Sequence, residues 1–117
     1  MNTIDCSPIG LKKALWFLLG IHKLELNASF GLALKRLRSH KKLTQEDFSS
    51  ISSRTYLSTL ERGLKSPTLE KIDQLAEILG VHPITMLAEA YLIRDMGTGC
   101  ESLLERLRSE LESLPTR

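Results

Sequence analysis

The stretch from Leu43 to Lys65, LTQEDFSSISSRTYLSTLERGLK, places the tightest constraint on what this chain can fold into. Thr44 can cap the free N–H groups of the turn that follows, and Asp47 three residues on makes a weaker form of the capping box. A helix is therefore expected from Thr44 to about Ile51, with Phe48 as its main core residue. The polar run Ser49-Ser50-Ile51-Ser52 interrupts it. Ser53 can then cap a second helix from Arg54 to Arg62, and Gly63 ends that helix where a left-handed residue is expected.

At about 100° per residue, Leu57 and Leu60 turn inward on the second helix, and Thr55, Ser58, Thr59 and Arg62 lie on the opposite face. Two short helices joined by a tight turn form a helix-turn-helix, whose second helix can lie in the DNA major groove. Upstream, Ser29 to Lys41 reads as a further helix with Ser29 as cap and an apolar stripe of Phe30, Leu34 and Leu37. Arg38 sits four residues after Leu34, at the edge of that stripe, where a charge needs a partner. Glu61 falls beside the inward face of the second motif helix and is its natural partner. Losing one member of such a partly buried pair costs ~3–5 kcal/mol, because the other charge is left uncompensated. The alternative is two independent surface charges.

After the motif, Thr68 caps LEKIDQLAEILG, whose Leu69, Ile72, Leu75, Ala76 and Leu79 form an inward stripe before Gly80 stops the helix. Pro83 opens PITMLAEAYLIRDM, with Ile84, Leu87 and Tyr91 inward and Met86 and Ile93 as further candidates. Gly97-Thr98-Gly99 breaks the chain, and Cys100 to Leu114 reads as a last helix. Its Leu104, Leu107, Leu111 and Leu114 follow the seam of a short coiled coil, with Arg106–Glu110 and Arg108–Glu112 as i,i+4 pairs. So short a seam is not stable alone, so it packs on the preceding helix, on the N-terminal helix or on a second subunit. At the other end, Ser7-Pro8 can start a helix. The apolar run within Leu11 to Leu19, holding Trp16 and Phe17, fits a dimerisation or partner-docking helix and equally a segment packed on the domain's own core. A third reading, a non-Met start codon downstream, would leave it unmade. The expected organisation is an apolar helical extension at 1–28, a DNA-binding domain at 29–96 and an amphipathic helix at 97–117. Strand-like alternation is absent from the sequence, and the expected fold class is all-α.

With 117 residues the chain has room for one core, and 5% aromatic residues make that core mainly aliphatic. A formal charge of +2 says little about partners, but its distribution is uneven. From Phe30 to Lys65 eight basic side chains face three acidic ones, a net +5, whereas from Ser66 onward five face nine, a net −4. The basic half coincides with the motif, as a phosphate-facing surface requires, although a lopsided solvated surface reads the same way. The apolar runs are too short to span a membrane, and Lys12-Lys13 before an apolar run lacks the small-residue cleavage site of a signal peptide. Cys6 and Cys100 form no C-x-x-C pair and read as free thiols of a reducing cytoplasm. His22, His40 and His82 are scattered, and no nucleophile motif, paired carboxylates or Gly-rich phosphate loop stands out, so neither an enzyme, a cofactor nor a metal site is expected. His40 reads as a phosphate-side residue and His82 as a loop residue before Pro83.

Six segments together resemble the lambda repressor and Cro-type helix-turn-helix domain, the XRE family. They are L-x-x-L-R (Leu34 to Arg38), LTQEDF (Leu43 to Phe48), SRTYLS (Ser53 to Ser58), LERG (Leu60 to Gly63), SPTL (Ser66 to Leu69) and LAEILGV (Leu75 to Val81). The resemblance spans Phe30 to Ala88 and implies a compact bundle of about five helices that binds DNA, usually as a dimer, here with helical extensions at both ends. It implies that Gln45 holds a phosphate and braces the recognition helix. Arg54, Thr55, Ser58 and Thr59 then face the groove, Tyr56, Arg62 and Lys65 touch the DNA backbone, and Arg38 with Glu61 matches the family's buried ion pair. The departure is the turn. The family typically carries A-x-x-x-G between the motif helices, and Ser49-Ser50-Ile51-Ser52 is about two residues short and lacks the glycine that supplies a positive φ. Either the first motif helix is trimmed or the serine hydroxyls bond the backbone in another turn geometry.

The expected function is sequence-specific double-stranded DNA binding by a cytoplasmic, nucleoid-associated transcriptional regulator. Arg54 is the candidate for guanine readout, with Lys41, Lys42, Arg62 and Lys65 neutralising phosphates. The alternative is an antitoxin-like module that neutralises a protein partner through its terminal apolar helices and represses its own operon.

Overall fold

The computed structural model describes residues 22–117, with side chains from Leu26 onward. The readings of Cys6, of Ser7-Pro8 and of the apolar run lie outside the described residues. Five α-helices and one 3₁₀ turn follow in order: α1 His22–His40, the 3₁₀ turn Gln45–Phe48, α2 Arg54–Glu61, α3 Leu69–Leu79, α4 Pro83–Arg94 and α5 Cys100–Glu112. There is no strand among the described residues, and the fold is all-α as expected.

The core is aliphatic with two phenylalanines: Phe30, Ala33 and Leu34 from α1, Phe48, Leu57 and Leu60 from the motif, Ile72, Leu75, Ala76 and Leu79 from α3, and Met86 and Ala90 from α4. The most extensive pairing is α1 against α4, so sequence-distant helices of the bundle close on each other, while the motif packs against α1 through α2 and against α3 through the 3₁₀ turn. Gly31 permits the second contact of α1. A Cβ at that position would lie 2.5 Å from the carbonyl oxygen of Leu60 and 2.6 Å from that of Glu61, so the backbones of α1 and α2 touch there with no room for a side chain.

Several local expectations give way. The first helix does not start at Ser29: α1 begins at His22, and Ser29 is buried inside it. No Gly or Pro separates His22 from Ser29, and a serine caps only where the preceding backbone leaves the helix. Leu69, in the first turn of α3, is 81% exposed beyond the buried part of its stripe. On α4 the buried stripe is Met86 and Ala90, while Ile84 and Tyr91 face solvent. That helix is apolar on most sides, so its periodicity fits both stripes, and the fit of the small Ala90 in the α1–α4 pairing selects one. Finally, α5 ends at Glu112 rather than Leu114 and buries no residue, with Leu104, Leu111 and the following Leu114 exposed. The Arg106–Glu110 pair forms at 2.9 Å, but Arg108 reaches back to Glu105 at 2.7 Å rather than forward to Glu112.

Four residues at chain reversals have positive φ: Lys42, Gly63, Gly80 and Gly97, and the first three close helices with paired backbone bonds. Gly63 (φ 75°) ends α2 with Gly63 N–H donating to Leu60 O and Leu64 N–H to Thr59 O, the paired bonds of a Schellman motif. Gly80 (φ 73°) ends α3 in the same manner. After α1 the role falls to Lys42 (φ 60°), with Lys42 N–H donating to Ser39 O and Leu43 N–H to Arg38 O. Among the described residues no single helix is long and apolar enough to cross a membrane.

Candidate nucleic-acid interface

Cap chemistry sets the site from both ends. The carboxylate of Asp47 accepts the Thr44 N–H at 2.7 Å and the Thr44 hydroxyl at 3.2 Å, which fixes the entry to the first motif element. The element itself is shorter than the expected Thr44-to-Ile51 helix. Only the 3₁₀ turn Gln45–Phe48 forms, and the chain then tightens, with Ile51 N–H and Ser52 N–H both donating to the carbonyl of Phe48. Both accommodations of a short, glycine-free turn occur: the first helix is trimmed and the Ser52 hydroxyl donates to the carbonyl of Ser53 at 3.2 Å, and no residue from Ser49 to Ser53 has a positive φ. Ser53 then caps α2 by accepting the Tyr56 N–H at 3.0 Å.

Behind α2 lies a small polar cluster. The guanidinium of Arg38 donates to Glu61 through Nε at 2.6 Å and through its terminal nitrogen at 3.1 Å, and gives a third bond to the carbonyl of Leu43 at 3.0 Å. The two side chains are 14% and 6% exposed, so the pair is bidentate and mostly withdrawn from water. Hydrogen bonding to Glu61 raises the Arg38 pKa above its ordinary value, against the opposing effect of burial. Gln45 joins the cluster, its amide nitrogen donating to Glu61 at 3.1 Å. One carboxylate thus ties together α1, the 3₁₀ turn and α2.

The outer face of α2 carries the residues assigned to the groove. Arg54 and Thr55 are exposed, and Ser58 and Thr59 are half-buried. Arg54 makes a loose 3.4 Å contact with Glu46, both side chains more than 70% exposed, an arrangement easily exchanged for another partner. The Thr59 hydroxyl donates to the carbonyl of Thr55 at 2.8 Å, leaving it acceptor capacity. Arg62 and Lys65 are exposed at the C-terminal end. Tyr56 lies half-buried between two ammonium groups, Lys65 Nζ at 5.9 Å and Lys71 Nζ at 5.7 Å from the ring centroid. Lys71 was not among the residues singled out from sequence. Its signal was weak, since a lysine in the first turn of a capped helix normally reads as solvated surface. His82 is also more than a loop residue: its Nδ1 accepts the Ile84 N–H at 3.0 Å and caps α4. Among the described residues no group of three or more His, Cys, Asp or Glu is placed to hold a metal ion.

A helical bundle that pins a capped, polar-faced helix at its surface behind a short first element defines the helix-turn-helix class. A family description, helix-turn-helix, matches residues 34–85. The chain is also 38% identical over 66 residues to an uncharacterised HTH-type transcriptional regulator, y4dJ, of Sinorhizobium fredii, an alignment covering 55% of this chain and 86% of the relative. The protein belongs to the XRE-type helix-turn-helix family of DNA-binding domains. No solved structure matches it.

Proposed function

We propose that this protein is a cytoplasmic transcriptional regulator that binds a specific double-stranded DNA sequence, acting as a repressor and reading an inverted repeat as a dimer. The observation that carries this reading is the outward face of α2, where Arg54, Thr55, Ser58 and Thr59 stand over a buried Arg38–Glu61–Gln45 anchor and are flanked by Arg62 and Lys65. A guanidinium can offer two hydrogen bonds to a guanine edge, and the hydroxyls and methyls suit bases and phosphates. Lys41, Lys42, Arg62 and Lys65 neutralise phosphates, while Tyr56 and the free carbonyl side of the Gln45 amide position the backbone.

The test is a gel shift on the region upstream of the protein's own gene across a salt series. Arg54→Ala lowers specific affinity by about 1–3 kcal/mol and leaves binding to random DNA nearly unchanged. Lys65→Ala weakens both alike and reduces the salt slope by about one. Equal affinity for unrelated DNA at every salt level sinks the sequence-specific reading.

One observation favours a second reading, an antitoxin-like module that also represses its own operon. Leu104 and Leu111 of α5 are exposed, as a surface that neutralises a partner protein would have them. A toxin-like gene beside this one supports that reading, and co-purification of its product with the full chain tests it.

A further inference from the structure

The turn between the motif elements has no glycine, no left-handed residue and only a single 3₁₀ turn before it. The Ser53 cap marks where α2 begins, and a contact from α3 braces the turn that carries this cap. The Lys71 ammonium donates to the carbonyl of Ile51, inside the turn, and lies 5.7 Å from the centroid of the Tyr56 ring, in the first turn of α2. It thereby touches the chain on both sides of the cap residue Ser53. Its own position is fixed: the Lys71 backbone N–H donates to the Thr68 hydroxyl at 3.1 Å, which anchors the residue at the N-terminus of α3, and α3 packs through Leu75, Ala76 and Leu79 into the core. The side chain is half-buried, where a charge-assisted bond to a carbonyl is stronger than in water and an ammonium over an aromatic face gains further.

We propose that Lys71 is a positioning residue for the recognition helix, a strut from α3 that fixes the angle of α2 in place of the missing turn glycine. This rests on the reading of α2 as the DNA-recognition helix. In this role Lys71 acts without touching DNA: one of its ammonium N–H groups holds Ile51, and its effect passes through the turn.

Two measurements on the full chain decide it, using Lys71→Met, which keeps the aliphatic stem, and Lys71→Arg, which keeps a cationic donor. Amide hydrogen exchange of the free proteins reports the turn directly. Exchange across residues 51–56 rises at least fivefold in K71M, returns toward wild type in K71R, and stays unchanged in α4 of both. Unchanged exchange at 51–56 in K71M overturns the proposal, and so does a rise spread evenly over the whole fold. The second arm compares a duplex selected by the wild-type protein from a random-sequence pool with a scrambled duplex of the same composition. K71M loses about tenfold on the selected duplex, the scale of one charge-assisted hydrogen bond, with less than a twofold change on the scrambled one. An equal loss on both, with a reduced salt slope, makes Lys71 a phosphate contact and overturns the positioning role. If the pool yields no enriched sequence, the sequence-specific reading fails, and the exchange result alone decides for or against the strut.

Discussion

The close contact of α1 with α2 is made by a residue with no side chain. Gly31 sits on α1 directly over the terminal carbonyls of α2, and an added Cβ would stand 2.5–2.9 Å from three backbone atoms of Leu60 and Glu61. None of these can rotate away, so relief comes only from moving α1 off α2. Gly31→Ala is expected to lose ~1–3 kcal/mol of stability, the usual cost of overpacking, despite the better helix propensity of alanine. Because Arg38 and Glu61 bridge the same two helices, the shift also lengthens their 2.6 Å bond. Urea denaturation of G31A beside wild type measures the loss, and a gain in stability instead shows that the two helices can separate freely. Arg38 and Glu61 could be placed together from helical phase alone, since each lies at the margin of an apolar stripe. Gly31 could not. In sequence it is one helix-weakening residue in FGLALKRL, and its role exists only in the crossing of two helices thirty positions apart.

At the scale of elements, what was legible followed from local chemistry. Ser53 and Thr68 accept the N–H groups that cap residues should, and Gly63 and Gly80 take the left-handed conformations that stop α2 and α3. What was not legible depended on neighbours. The first motif helix shrinks to one 3₁₀ turn because the linker is short, and the inward face of α4 is chosen by α1, not by its own pattern. The leucine seam of α5 was legible as a seam, but the sequence left three surfaces open to it. In the fold α5 leans only lightly on α4, keeping Leu104 and Leu111 exposed and Leu107 half-buried. A chain ending at Met96 is therefore expected to retain the bundle, with Tm lowered by less than about 4 °C, equivalent to under ~1 kcal/mol for a domain of this size. Thermal melts followed by circular dichroism, at two protein concentrations, check this. A fall of 10 °C or more makes α5 part of the core, and a fall seen only at the higher concentration ties it to self-association.

For the whole molecule, the charge division sets an orientation. The net +5 of residues 30–65 and the net −4 beyond Ser66 give a basic motif face and an acidic remainder, which favours one approach to a polyanion over its reverse. An oriented monomer has one recognition helix and so one half-site. In the two-fold arrangement proposed above, two copies each place α2 in successive major grooves on one side of the duplex. Such a dimer predicts half-sites about 10–10.5 base pairs apart, centre to centre. Inserting five base pairs between them turns one half-site about half a turn round the helix, away from its α2. Affinity for the altered site is expected to fall to that of an isolated half-site, which a titration of both duplexes at fixed salt reads directly. The comparison must be made at one salt concentration, since the phosphate contribution shifts with ionic strength and would mask the loss. If the five-base-pair insertion leaves affinity unchanged, the two copies bind independently or only one binds. The two-fold arrangement is then wrong even where sequence-specific recognition by α2 stands.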